Sequence, residues 1–91
     1  MPDIREKVAH VSDHTGVYLF KNSRGKILYI GKAKMLRNRV RSYFQKSRSL
    51  DPKTVRMMQQ VRDFETIITD TEVEALILEY NLIKEYKPRY N

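Results

Sequence analysis

Gly16-Val17-Tyr18-Leu19-Phe20-Lys21, then Asn22-Ser23-Arg24-Gly25, then Lys26-Ile27-Leu28-Tyr29-Ile30-Gly31 is the stretch that decides the fold. The outer runs are rich in β-branched and aromatic residues, and the middle is a turn cluster. Two such runs around a short glycine-containing loop read as a β-hairpin, with Gly31 ending the second strand. Upstream, Ile4 and Val8 at i and i+4 give a short helix over residues 3 to 10. Downstream, from about Met35, the period changes. Leu36, Val40, Tyr43 and Phe44 share one helical face. Pro52 suits the start of another helix carrying Val55, Met58 and Val61. Phe64 to Thr69 alternates toward a third strand. Thr71-Glu72-Val73-Glu74 matches a capping box for a last helix that Pro88 stops near Lys87. The order α-β-β-α-α-β-α fits a three-stranded mixed α/β sandwich built around the hairpin.

The chain has 91 residues, enough for one domain with one modest core. Hydrophobic residues make 41% and charged residues 32%, which excludes a disordered or membrane-embedded chain. There is no cysteine, so disulfide scaffolds, thiolate zinc sites and a thiol nucleophile are all excluded. Met1 to Lys7 holds no apolar signal core, and the expectation is a cytosolic protein. The abrupt end at Asn91 reads as one domain, residues 1–91, excised from a longer protein.

The net charge is +7, and its distribution matters more than its total. Residues 21 to 50 hold ten basic side chains and no acid: Lys21, Arg24, Lys26, Lys32, Lys34, Arg37, Arg39, Arg41, Lys46 and Arg48. The remainder has eight basic and eleven acidic groups, a net of −3. Localised positive charge of this kind suits a nucleic-acid backbone. A solvated basic face without a partner is the alternative.

Three features carry chemistry. Glu79 lies on the last helix among apolar neighbours, Ala75 and Leu76 before it and Leu82 and Ile83 after it. A carboxylate in an apolar stripe is costly unless something pairs with it, so Glu79 is either a metal ligand or half of a buried ion pair. Tyr18 and Tyr29 sit on the two hairpin strands, and Gly31-Lys32 follows. A glycine at a strand end lets a backbone or phosphate approach, and Lys32 can meet that phosphate. Lys32 and Arg39 are expected to lower the tyrosine pKa from its reference of about 10. Core packing of both tyrosines is the plainer reading. Arg39 lies at the edge of its helix's apolar face, between Leu36 and Tyr43, where its guanidinium can turn into a cleft and grip a phosphate. Arg37 and Arg41 point away, toward solvent or a nucleic-acid backbone. His10 and His14 read as solvated, and no serine has a paired base.

Gly16-Val17-Tyr18 and Tyr29-Ile30-Gly31 resemble the two signatures of the GIY-YIG endonucleases. Gly31-Lys32-Ala33-Lys34, Arg39 with Arg41-Ser42-Tyr43, Glu79-Tyr80-Asn81-Leu82-Ile83-Lys84 and Pro88-Arg89-Tyr90-Asn91 extend the likeness to that family's incision domain of bacterial nucleotide excision repair. It covers nearly the whole chain, and Val17 replaces the usual isoleucine. The resemblance implies an α/β (α+β) domain with a small three-stranded antiparallel sheet flanked by helices. It implies a divalent-metal-dependent phosphodiester hydrolase that cuts one DNA strand 3′ to a lesion. The implied cofactor is a single Mg²⁺ or Mn²⁺ held by Glu79. The implied catalytic set is Tyr18, Tyr29, Lys32, Arg39 and Glu79. Gly31, Lys34, Arg37, Arg41, Tyr43 and Asn91 would bind substrate. The implied partners are DNA and, in the full-length protein, a UvrB–DNA complex, with the isolated domain a monomer. Tyr29 is favoured over Tyr18 as the group that activates water, because it lies two residues before Gly31-Lys32. A non-catalytic DNA-binding module and a surface for an acidic protein partner are the competing readings.

Overall fold

The computed structural model describes residues 3–45 and 50–91. Lys46, Ser47, Arg48 and Ser49 of the basic stretch lie outside the described residues, as do Met1 and Pro2. The elements are α1 (Ile4–Ala9), β1 (Gly16–Lys21), β2 (Ile27–Ala33), α2 (Leu36–Phe44), α3 (Pro52–Met58), β3 (Asp63–Ile68) and α4 (Glu72–Tyr86). The sheet order is β2-β1-β3 with both pairings antiparallel, so β1 is the central strand.

The hairpin forms as its composition dictates. The Asn22 side chain accepts from the amides of Arg24 and Lys26 and closes the turn. One expectation is corrected: β2 does not stop at Gly31 but runs on to Ala33, pairing Gly31 with Tyr18 and Ala33 with Gly16. Glycine lacks a side chain but keeps its amide and carbonyl, so it ends no ladder by itself.

Strand alternation splits the core in two. Tyr18 and Phe20 of β1 face α1, α2 and α3 and join Leu36, Val40, Met57 and Phe64. Val17 and Leu19 face α4 and join Ile30 and Ala75, with Leu78, Leu82 and Ile83 packed against them. Two helix faces differ from expectation. On α3 it is Met57 that is buried, while Val55 is 41% exposed. On α4 Leu76 is 51% exposed, because the helix turns Ala75, Leu78 and Leu82 to the sheet. The α4 cap holds: the Thr71 hydroxyl accepts from the Glu74 amide. At the other end Lys87 adopts the left-handed conformation (φ 45°), and Pro88 cannot continue the helix. The tail therefore folds back along the free edge of β2, where the Tyr90 amide donates to the Leu28 carbonyl at 3.0 Å. Among the described residues, no helix is long and apolar enough to cross a membrane.

Gly16 marks where β1 enters between its two neighbours. A Cβ there would run into the Ile67 carbonyl of β3 and come within 2.8 Å of Leu36. The obstruction is backbone, which cannot rotate aside. Gly16→Ala is expected to cost about 1–3 kcal/mol, the usual penalty of overpacking. Thermal melting should show a fall of roughly 4–8 °C per kcal/mol for a domain of this size.

Candidate active site

Tyr18 is the best-buried of the site residues, with no exposed surface. The register places it opposite Gly31, and a Cβ on residue 31 would collide with the Tyr18 hydroxyl. Gly31 thus makes room for a tyrosine of its own sheet, a role the sequence alone did not show. The Tyr18 hydroxyl lies 3.0 Å from the Tyr43 hydroxyl on α2. Tyr29 follows from the neighbouring strand, its ring centroid 6.1 Å from that of Tyr18. Phe20 meets Tyr43 edge to face at 4.9 Å and fixes that ring from below. Three phenols from three elements therefore converge, held by aromatic packing.

Arg39 joins them by interacting with the Tyr18 phenol, which holds the guanidinium firmly charged. The effect on the tyrosines is opposite to the sequence expectation. Burial, then the hydrogen bond to Tyr43, pushes the Tyr18 phenol far above its ordinary value. Burial also raises Tyr29, aided by Tyr43 and by the charge of Glu79, while Arg39 pulls it down without prevailing. Desolvation outweighs a single cation here because it penalises the charged phenolate directly.

Glu79 projects from α4 close enough to Tyr29 for its charge to be felt there, and its side chain is half-buried. Among the described residues the ion pairs are Lys7–Asp63 at 2.8 Å and Lys21–Glu65 at 2.7 Å, and neither uses Glu79. Of the two readings offered for this carboxylate, an ion pair has no partner among the described residues. Groups of three or more His, Cys, Asp or Glu able to hold a metal are also absent among the described residues. A lone carboxylate fits a hard cation such as Mg²⁺, which keeps several waters and takes its other ligands from substrate phosphate.

The remaining residues divide. Lys32, Lys34 and Arg39 line one open groove of about 510 Å³, with Asn38, Ser42 and Glu72. Arg41 is exposed on α2. Arg37 lies elsewhere: its Nε donates to the Val11 carbonyl at 2.9 Å and ties α2 to the loop before β1. Asn91 uses its whole amide on β2, donating to the Ile30 carbonyl at 2.8 Å and accepting from the Ile30 amide at 2.9 Å. It acts there as one more rung of the sheet. Sequence reasoning missed Asn38 and Ser42, although their i, i+4 spacing beside Arg39 was available to find them.

A family profile described as the UvrC-like GIY-YIG domain matches residues 14–91. The UvrABC system protein C of Carboxydothermus hydrogenoformans is 63% identical over 86 residues, 94% of this chain and 14% of that protein. The protein of that name from Caldicellulosiruptor saccharolyticus is 57% identical over the full chain and 15% of its own length. The chain thus spans about a seventh of these curated relatives. Among solved structures, the GIY-YIG N-terminal endonuclease domain of UvrC from Thermotoga maritima, bound to magnesium as its catalytic divalent cation, superimposes with a TM-score of 0.84. It is 46% identical, and the match covers 97% of this chain and 94% of that one.

The raised phenols make stability depend on alkaline pH. A folded-state pKa above the unfolded value means the native state keeps a proton that the unfolded state loses. Stability from this source is complete below about pH 10 and falls as pH rises above it. Each such phenol contributes a slope of up to about 1.4 kcal/mol per pH unit. Denaturant titrations between about pH 10 and 12 should show this decline, and Tyr18→Phe should flatten it.

Proposed function

The chain belongs to the UvrC-like GIY-YIG family, and from that membership we propose that it is the metal-dependent endonuclease unit of a longer cytoplasmic repair protein. Its reaction is hydrolysis of one phosphodiester bond in DNA. In the full-length protein the substrate is a UvrB–DNA complex. The observation that carries the reading is the half-buried Glu79 carboxylate beside Tyr29, without an ion-pair partner among the described residues. A purely DNA-binding surface gives no reason to hold a half-buried carboxylate beside Tyr29.

Each residue then has a role that its surroundings support. Glu79 would hold the cation, and a divalent cation held there would supply positive charge to the phosphate being cleaved. Arg39, kept charged by Tyr18, places its guanidinium on the phosphate and balances charge as the pentacoordinate state forms. Lys32 and Lys34 hold the strand along the groove. Tyr29 takes the proton from the attacking water. Tyr18 has no surface to offer water, and its hydroxyl is committed to Tyr43 and Arg39. Since burial disfavours a free phenolate, Tyr29 works best as a relay. It accepts the water proton as its own proton passes to the half-exposed Tyr43, whose hydroxyl proton leaves to solvent, so both phenols end neutral. Arg37 and Asn91 support the site from behind, one anchoring α2 and the other the edge of β2.

Glu79→Gln in the full-length protein should reduce Mg²⁺-dependent incision of UvrB-loaded DNA to background while salt-dependent DNA binding persists. Intact or enhanced function in that variant would favour the binding-module reading. Tyr29→Phe should lower the incision rate by about 10²–10⁴-fold, the span of general acid–base catalysis. Wild-type incision by Tyr29→Phe alongside a dead Tyr18→Phe would transfer the proton-accepting role to Tyr18.

A further inference from the structure

Tyr29 and Tyr43 line a space separate from the groove of Lys32, Lys34 and Arg39. This half-open space, on the α3 side, has a volume of about 210 Å³ and is lined as well by the buried Met57 and Tyr90. Its rim carries Asp51, Lys53 and Thr54. A space of about 150 Å³ is enough for one benzene ring, so this half-open, mixed-polarity space has room for a single ring system and not for a base pair. Its walls are those of a stacking platform, three phenol rings and a thioether. The rim has mixed polarity. Asp51 accepts from the Thr54 amide at 2.8 Å and from the Thr54 hydroxyl at 3.0 Å, leaving lone pairs unused. Lys53 offers donors. A phosphate would be repelled by Asp51, whereas a nucleobase edge presents both donors and acceptors and suits a carboxylate beside an ammonium.

We propose that this cavity takes the unstacked base of the nucleotide next to the scissile phosphate, stacked on the tyrosines and met at its edge by Asp51 and Lys53. The proposal rests on the endonuclease reading and adds to it that the cut strand is locally unpaired when it is cut. Seating the base fixes the sugar that carries the scissile bond, which is how a site with few protein ligands can align its phosphate.

The Met57 methyl resonance reads occupancy directly. Titrating the 91-residue chain with millimolar deoxycytidine or deoxyguanosine should shift it, and inorganic phosphate should not. Thr54→Trp, which fills the cavity, should abolish the shift. Thr54→Ala, which leaves it open, should keep the shift and report an intact fold. In the full-length protein, Thr54→Trp should lower incision about tenfold, the scale of one lost stacking contact, with the salt dependence of DNA binding unchanged. A Met57 methyl unmoved by nucleosides overturns the proposal. So does a shift with phosphate alone, which makes the cavity a phosphate subsite. Wild-type incision by Thr54→Trp overturns it as well. If the unsubstituted protein fails to cut, the endonuclease reading falls, and the methyl shift still decides whether a base binds.

Discussion

A phenol buried beneath the central strand is the constraint on which the rest depends. Tyr18 has no solvent access, and only the absence of a side chain at residue 31 leaves space for its hydroxyl. A buried hydroxyl must find a partner, and Tyr43 and Arg39 of α2 provide it. That requirement fixes α2 against the sheet. It also brings Arg39 to the rim of the groove with its charge engaged on the protein side. The core and the candidate active site therefore share one hydrogen-bonded cluster, and neither can be repacked without disturbing the other.

The electrostatics of that cluster follow from burial more than from its charges. A cation beside a phenol lowers its pKa in water, yet both Tyr18 and Tyr29 are raised here. Removing the phenolate's hydration costs more than one guanidinium returns. Glu79 adds a smaller push in the same direction.

The edges of the sheet are managed by different means. β2 is covered by the tail, which uses the Tyr90 amide and the Asn91 side chain as rungs. β3 carries Ile67 and Ile68 outward, 37% and 55% exposed. On α4, Val73, Leu76, Ile77 and Tyr80 form an exposed apolar stripe opposite the face that packs on the sheet. This accounts for the misreading of the helix. Apolar residues lie on both sides of it, and periodicity alone could not say which side was covered.

Much of this protein was legible in its sequence. Alternation and turn chemistry fixed the hairpin, the spacing of Leu36, Val40 and Phe44 fixed α2, and Thr71 and Pro88 bounded α4. The cost of a carboxylate among apolar neighbours singled out Glu79, and clustered cations marked the basic groove. These are local rules, decided by residues within a turn or two of each other. What remained hidden was long-range. The meeting of Tyr18, Tyr29 and Tyr43, the use of Gly31 as space for a phenol, the commitment of Arg37 to Val11, and the pairing of Asn91 with Ile30 join residues 11 to 61 positions apart, apart from the adjoining strands of the hairpin. The sign of the tyrosine shifts was hidden for the same reason. Composition and spacing determine which elements form and which residues carry charge; only packing determines how much water each of those charges keeps.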